Sequence, residues 1–249
     1  MKTITQNQLC YYQFNHFSEM SYIVHAIFSR KGGVSRSPYN SLNLSLNVGD
    51  DKASVHENQR RIENIMGLTE CKSVIQTHSR NVHIVNSKFD ESLTGDALIT
   101  MQTDILLLIK TADCQPILLV DPENKIIAAI HSGWRGSVQN IIEATVTKMC
   151  DLGSKPEKIF AGIGPSLGPC CAEFINYKQE LPEYMWAFSV KPYFFDFWAI
   201  SKKQLIDKGV PEKNIEIAKI CTRCRSDLFY SYRKNKISGR FASVIGMRS

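Results

Sequence analysis

Cys114 and His131 are the two residues whose types and spacing most clearly suit a chemical site. Two short apolar runs, residues 117–120 and 125–130, lie between them and are separated by the tetrapeptide Asp-Pro-Glu-Asn at 121–124. Asp followed by Pro suits a type I turn, so the sequence predicts a β-hairpin. If Pro122 and Glu123 form its loop, Cys114 faces His131 directly, with Cβ atoms about 4.5–5.5 Å apart. A thiolate and an imidazole placed in this way can bind one metal ion.

A third ligand is needed, because a catalytic zinc site has three protein ligands and one open position. Spacing alone leaves four histidines open for this role: His78, His83, His56 and His25. Two histidines and a cysteine are also the ligands of blue-copper sites, so Cu²⁺ is the alternative to Zn²⁺. A multicopper centre needs more imidazoles than the six histidines of this chain provide. Without a metal, Cys114 could instead be the nucleophile of a cysteine hydrolase, with His131 as its base.

The segment HSGWRG at 131–136 has the composition of an anion-binding turn. Its glycines expose backbone N–H groups before a predicted helix, where negative charge is favoured, and Arg135 offers a planar fork for phosphate or carboxylate. The glycine spacing matches neither a P-loop nor a dinucleotide fingerprint. A tight turn from strand to helix, with no ligand, explains the same residues.

The pair Cys221 and Cys224 has the spacing of half a structural zinc site or of a redox pair. No second Cys-x-x-Cys and no His-x₃-His follows it in the sequence. We therefore interpret these residues as two thiols that bind no metal.

Composition places the chain among ordinary globular proteins, with 249 residues and 43% hydrophobic residues. Its net charge of +6 is concentrated after Lys219, in a basic segment that suits phosphate-bearing ligands. No nucleic-acid reader motif is present, so we expect no nucleic-acid partner. The longest aliphatic run, residues 105–109, is too short for a bilayer, and no secretory signal precedes the eight cysteines. We expect a cytoplasmic protein with reduced thiols.

Strand-like and helix-like patterns alternate along the chain, which predicts an α/β or α+β fold with mixed sheets in one domain, residues 1–249. Apolar runs predict strands at 22–28, 73–76, 82–85, 104–109, 117–120, 125–130, 159–163, 229–233 and 241–246. Apolar periodicity with capping residues predicts helices at 51–66, 137–152 and 196–208.

Eight motifs occur in a family's order over nearly the whole chain. They are FSRKGGVS (28–35), SLNLSLNVGDD (41–51), QTHS (76–79), GDALIT (95–100), TADCQP (111–116), HSGWRG (131–136), GIGPSLGPCCAE (162–173) and CTRCRSDLFYSYR with SGR (221–240). The chain resembles the multicopper polyphenol oxidase (laccase-like) proteins, the YfiH/YlmD family, which is related to the mammalian laccase domain-containing protein. It departs from the family pattern at Gln115, Ser132, Ala172 and in residues 58–60. These departures leave substrate preference open.

The resemblance implies a four-layer α/β/β/α sandwich with mixed sheets, a fold shared with a deamidating toxin. It also implies that His78, Cys114 and His131 bind zinc, and so supplies the third ligand.

The implied reactions are phosphorolysis of adenosine, inosine and S-methyl-5′-thioadenosine, and hydrolytic deamination of adenosine. Alternatives are a copper polyphenol oxidase and a cysteine amidase that edits peptidoglycan precursors. With a purine nucleoside and phosphate as substrates, we expect Asp113 to carry protons beside the catalytic Cys114 and His131. Substrate-binding residues are expected at Arg30, Asn43, Gln76 and Arg135. The chain is expected to be a monomer or a homodimer.

Overall fold

A computed structural model describes residues 1–68, 70–88, 90 and 92–249. Fourteen strands lie in these ranges: β1 (Lys2–Gln6), β2 (Leu9–Gln13), β3 (Ile23–Phe28), β4 (Glu70–Lys72), β5 (Val82–Ile84), β6 (Ala97–Thr100), β7 (Ile105–Thr111), β8 (Gln115–Asp121), β9 (Ile126–Ser132), β10 (Phe160–Ile163), β11 (Ser189–Lys191), β12 (Phe194–Phe195), β13 (Ile215–Ile217) and β14 (Phe241–Met247). The α-helices of the same ranges are α1 (Asn15–Ser18), α2 (Lys52–Met66), α3 (Trp134–Val138), α4 (Ile141–Asp151), α5 (Tyr177–Glu180) and α6 (Phe197–Asp207). None of these helices is long and apolar enough to cross a membrane.

The described strands form two large mixed sheets and one short ribbon. Sheet 1 has the order β1-β2-β3-β14-β7-β4, and sheet 2 has the order β13-β10-β8-β9-β6-β5. Most neighbours are antiparallel, but β4 pairs with β7, β5 with β6, and β10 with β13 in parallel. Strands β11 and β12 pair separately.

The two sheets pack face to face and each is covered by helices on its outer side. Alternate residues of β7 point to opposite faces, so Leu107 and Ile109 lie between the sheets while Leu106 and Leu108 lie with Ile62 of α2. The outer face of sheet 2 packs in the same way against α4 and α6. Burial on both faces explains why the central strands are continuous apolar runs. The expected α/β/β/α architecture is confirmed.

Two of the predicted helices are confirmed with their caps. Helix α2 begins after Asp51, whose carboxylate accepts the Ser54 N–H at 2.8 Å, and it ends at Gly67 with φ 69°. Glycine suits this left-handed position because it has no Cβ. Helix α6 begins after Asp196, which accepts the Ala199 N–H in the same way.

The single helix predicted for 137–152 is wrong, because two helices occupy this segment. Asn140 adopts a left-handed conformation (φ 58°, ψ 58°) between α3 and α4, and its side chain accepts the Glu143 N–H. Asn followed three residues later by Glu resembles a capping box and marks a helix start.

The predicted hairpin exists, but its register is wrong. Gln115 pairs with Ser132 and Asp121 with Ile126, so four residues rather than two form the loop. The Asp121 carboxylate accepts the N–H groups of Glu123 and Asn124, and these bonds stabilise the longer turn. Consequently His131 faces Pro116 and not Cys114.

Two other strand predictions differ from the structure. The strand expected at 73–76 lies earlier, as β4, and Ile75 makes only an isolated bridge to Thr94. The segment 229–233 forms bends and turns because Phe229 and Tyr230 pack into the core instead of pairing in a sheet. Strands β1, β2, β6, β11, β12 and β13 were not predicted.

Candidate metal centre

His78, Cys114 and His131 converge at one end of the sandwich. Their potential ligand atoms all lie within 4.8 Å of one another. The Cys114 Sγ is 3.8 Å from the His78 Nε2, and the two imidazole ring centroids are 4.9 Å apart. Tetrahedral zinc, with Zn–S near 2.3 Å and Zn–N near 2.0–2.1 Å, separates such sulfur and nitrogen atoms by about 3.6 Å. The three residues therefore fit a zinc ion.

Each ligand comes from a different part of the fold. Cys114 lies in the bend where the chain passes from β7 in sheet 1 to β8 in sheet 2. His131 is on β9, and His78 is in the loop before β5 with φ 60°. Asp113, with φ 92°, turns the chain just before Cys114. Cys114 thus approaches His131 from a bend, not across a hairpin rung.

Asp96 connects two of the three ligands. Its buried carboxylate bonds His131 Nδ1 at 2.7 Å and accepts the backbone N–H of His78 at 3.0 Å. It also accepts the Ser79 N–H at 2.6 Å. Because Nδ1 of His131 is engaged, Nε2 is left for a metal. A carboxylate behind a histidine in this way fixes the ring orientation and raises its basicity as a ligand.

The electrostatics of the centre favour an ionised thiol. Burial raises the pKa of Cys114, but the charge of His131 and hydrogen bonds from both histidines outweigh it and lower the pKa to about 6. Burial lowers the pKa of His131, but Cys114 and Asp96 outweigh it and raise the pKa to about 9. Burial raises the pKa of Asp96, but hydrogen bonds from His131 and Ser79 bring it to about 2. Cys114 is thus prepared as a thiolate, the form that binds metals.

Gly133 makes room for the centre. A Cβ at this position would lie 2.7 Å from His78 Cδ2 and 3.0 Å from Cys114 Sγ. Any larger residue would push both ligands away, so the first glycine of HSGWRG has a steric role.

A cavity of about 930 Å³ opens beside the three ligands. Basic side chains line it: Lys110, Arg135, Arg233, Lys236 and Arg240. Asp113 is the only acidic residue among the described residues of its lining. Aromatic rings complete the walls: Trp134, Phe174, Phe197 and Tyr232. The cavity is therefore cationic and partly aromatic, and its size falls within the range of small-molecule sites.

Three of the residues expected to act on substrate line this cavity. Arg135 is exposed, with its guanidinium 4.3 Å from the centre of the Trp134 ring. The Gln76 amide exchanges two hydrogen bonds with the backbone of Lys110, so it braces the wall. The Asp113 carboxylate accepts hydrogen bonds from Thr222 Oγ1 at 2.7 Å and from the Arg233 N–H at 2.6 Å.

Arg30 and Asn43 lie outside the cavity lining. The Arg30 guanidinium donates to the carbonyls of Asn40 and Ser226 and stacks on the Tyr230 ring. The buried Asn43 bonds Asp50 and the backbone N–H of Arg240. Both residues hold loops together behind the site.

Asp96 and the basic residues of the wall other than Arg135 were not predicted from the sequence. Asp96 lies in the GDALIT motif, but nothing in its spacing connects it to His131. Arg233, Lys236 and Arg240 belong to the basic segment after Lys219, whose charge was the available signal.

Cys221 and Cys224 have two neighbouring cysteines that the sequence did not predict. Their sulfurs lie with those of Cys170 and Cys171, all four within 4.8 Å of one another. The sequence scan missed these partners because they are adjacent residues rather than a second Cys-x-x-Cys.

Comparison with known proteins gives a consistent result. Residues 24–248 match the family model described as multi-copper polyphenol oxidoreductase laccase. A purine nucleoside phosphorylase of Deinococcus radiodurans is 32% identical, over 90% of this chain and 89% of the relative. A purine nucleoside phosphorylase of Bacteroides thetaiotaomicron is 34% identical, over 93% and 94%. The crystal structure of YlmD from Geobacillus stearothermophilus superimposes with a TM-score of 0.86 at 27% identity and covers 100% of both chains.

Proposed function

We propose that this chain, which belongs to the multi-copper polyphenol oxidoreductase laccase family, is a purine nucleoside phosphorylase like the relatives that carry that name. We further propose that it binds zinc at His78, Cys114 and His131. The observation that carries the proposal is the cationic cavity next to these three residues. Its substrates are adenosine, inosine and S-methyl-5′-thioadenosine, each cleaved by inorganic phosphate. Hydrolytic deamination of adenosine is a second reaction of the same cavity.

The basic wall supports the phosphate half of the reaction. Phosphate carries one to two negative charges near neutral pH, and Arg135, Arg233 and Arg240 can bind its oxygens by charge-assisted hydrogen bonds. Arg135 is suited to a bidentate contact because its guanidinium is exposed at the cavity and held against Trp134. The bound phosphate would attack the anomeric carbon of the ribose as the purine leaves.

The aromatic wall supports the purine half. Trp134, Phe174 and Phe197 offer flat apolar surfaces on which a purine ring stacks. The leaving purine must gain a proton, which the attacking hydrogen phosphate releases as its oxygen bonds to the ribose, and we assign Asp113 to carry that proton between them. The bonds from Thr222 and Arg233 orient its carboxylate. When bound, zinc would supply Lewis-acid polarisation of an oxygen atom.

Product analysis with adenosine, with and without phosphate, tests the proposal. Without phosphate we expect inosine alone. With phosphate we expect adenine and ribose 1-phosphate as well, together with hypoxanthine, because the inosine is itself cleaved by phosphate. We expect Arg135→Lys to raise the KM for phosphate about tenfold, since loss of a bidentate contact amounts to about 1.4 kcal/mol. It should change deamination much less. The exposed Arg36→Lys, outside the cavity lining, is the matched control. If neither adenine nor inosine is formed from adenosine, the proposal is refuted.

One observation favours a second candidate, a cysteine hydrolase. Cys114, His131 and Asp96 are arranged as a nucleophile, a base and the carboxylate that orients the base. Such a group could cleave an amide bond, for example in a cell-wall precursor.

Chelation and alkylation separate the two candidates. Zinc catalysis predicts that a strong chelator abolishes turnover, that zinc restores it, and that alkylation of Cys114 is slow until the metal is removed. Activity that survives chelation but is lost when Cys114 is alkylated would establish the hydrolase. Metal analysis of the same preparation should find zinc, whereas several coppers per chain and a strong blue colour would favour the oxidase.

A further inference from the structure

Four cysteines from two loops meet outside the metal centre. Cys170 and Cys171 follow β10, and Cys221 and Cys224 lie between β13 and β14. Cys171 and Cys221 are buried, whereas Cys170 and Cys224 are exposed at the surface. We call this group the four-cysteine cluster. It shares no residue with His78, Cys114 and His131.

The spacing of the sulfurs fits a tetrahedral metal. The Cys224 Sγ lies 3.6 Å from the Sγ atoms of both Cys170 and Cys171, and all four sulfurs lie within 4.8 Å of one another. Zinc bound to four thiolates at about 2.3 Å separates the sulfurs by about 3.8 Å, whereas a disulfide brings two of them to about 2.0 Å. One disulfide would also leave two thiols without a role, but a metal engages all four.

A basic side chain lies beside the cluster. The Arg223 Nη1 lies 3.6 Å from the Cys171 Sγ. Its positive charge stabilises a neighbouring thiolate, which is the form in which cysteine binds metals.

We propose that Cys170, Cys171, Cys221 and Cys224 bind a second zinc ion. Thiolates are soft ligands, and four of them in a tetrahedron select zinc over the hard divalent cations. All four ligands come from the protein, which leaves no open position for a substrate, so the site is structural.

This second ion would hold the wall of the cavity. Thr222, between the two cysteines of the Cys-x-x-Cys pair, donates its hydroxyl hydrogen to Asp113. The Leu167 N–H, from the other loop, donates to the Asp113 carbonyl at 2.8 Å. The Arg233 guanidinium donates to the carbonyl of Glu173 at 3.0 Å. Zinc would therefore join the two loops that position Asp113 and Arg233, and this role does not depend on which reaction the cavity performs.

Metal analysis of the full-length protein tests the proposal directly. We expect two zinc ions per chain, one ion in Cys221→Ser/Cys224→Ser, one in Cys114→Ser, and none when the three substitutions are combined. Cys150→Ser, which lies in neither group, is the matched control and should retain two. A wild-type value of one that is unchanged by Cys221→Ser/Cys224→Ser would overturn the proposal without affecting the proposed function. A wild-type value of one that falls to zero in Cys221→Ser/Cys224→Ser and is unchanged in Cys114→Ser would mean that the centre at Cys114 holds no zinc. That result would sink the proposed function and leave this proposal intact.

A second measurement covers the case in which the double variant does not fold. The wild-type protein would be reconstituted with Co²⁺, and its sulfur-to-cobalt charge-transfer absorption would be compared with that of Cys114→Ser. We expect strong absorption typical of four thiolates to remain in Cys114→Ser. Its absence, or a Cys170–Cys224 or Cys171–Cys224 disulfide found by mass spectrometry of the freshly purified protein, would overturn the proposal.

Discussion

At the scale of single residues, Asp96 is the group on which the metal centre depends most after its ligands. It is fully buried and bonds both the His131 ring and the His78 backbone. We expect Asp96→Asn to lower zinc affinity at this centre by about 10–100-fold, because an amide orients the ring but adds no negative charge. Competition with a chromophoric chelator would measure the zinc affinity of both proteins.

The control for this change is Asp151→Asn at the exposed end of α4, which should bind zinc as the wild type does. The comparison should be made in a Cys221→Ser/Cys224→Ser background, so that one centre is measured alone. An unchanged affinity in Asp96→Asn would show that the carboxylate does not act on the metal.

The sequence predicted these residues unevenly, for a physical reason. Cys114 and His131 could be linked because only a short hairpin separates them. His78 came from the family resemblance, since a loop histidine carries no periodic signal. Asp96 and the four-cysteine cluster depend on contacts between distant segments, which no local spacing encodes.

At the scale of elements, the turn between β9 and α3 lies so close to the metal centre that it leaves no room for a side chain at Gly133. A Cβ on Gly133 would lie 2.7 Å from the His78 ring. We expect Gly133→Ala to abolish zinc binding at this centre while the protein remains folded, because the added methyl group would meet the His78 ring and the Cys114 sulfur, which line the cavity. Zinc content and thermal unfolding would be measured together.

Gly136→Ala in α3 is the matched control. Its added Cβ would meet Ile141 Cγ2 at 3.4 Å, an ordinary contact, and alanine favours a helix. Zinc should be retained there. Full zinc occupancy in Gly133→Ala would contradict this expectation, because it would show that the turn can move away from the ligands without weakening zinc binding.

Helices α2 and α6 were predicted from local signals, whereas the break at Asn140 and the features set by tertiary contacts were missed. Helix α2 was predicted because Asp51 and Gly67 mark its ends. The hairpin register was missed because the Asp121 side chain closes a four-residue loop that Asp-Pro alone does not reveal. The segment 229–233 resembles a strand, but the rings of Phe229 and Tyr230 are buried in the core.

At the scale of the whole molecule, His25 couples folding to pH. It is 1% exposed beneath Phe14 and Phe17, and its Nε2 accepts the Phe14 N–H at 2.8 Å. Burial lowers its pKa from 6.5 to about 4. The unfolded chain therefore binds a proton at a higher pH than the folded one, and stability falls as the pH drops from about 6.5 to about 4.

We expect His25→Gln to remove this part of the pH dependence, which amounts to about 3 kcal/mol across that range. Denaturant unfolding at several pH values would give the free energy of unfolding as a function of pH. The slope of that dependence is compared, and not the free energy itself, because the substitution also changes packing. His56→Gln on the surface of α2 serves as the reference histidine replacement. Equal slopes for His25→Gln and the wild type would refute the coupling.

The layered architecture could be predicted from the family resemblance, and the mixture of strands and helices from periodicity. The order of the strands could not, because β14 lies between β3 and β7, although a long stretch of chain separates it from both.

That position of β14 has a consequence for biosynthesis. A ribosome makes β3 and β7 first, and at about 5–20 residues per second it needs on the order of ten seconds more to deliver β14. Until then the two strands have unpaired edges at the middle of sheet 1, of the kind that attract other chains. The nascent polypeptide therefore carries these unpaired edges for as long as the segment between β7 and β14 is being made, and sheet 1 is completed only after β14 has left the exit tunnel.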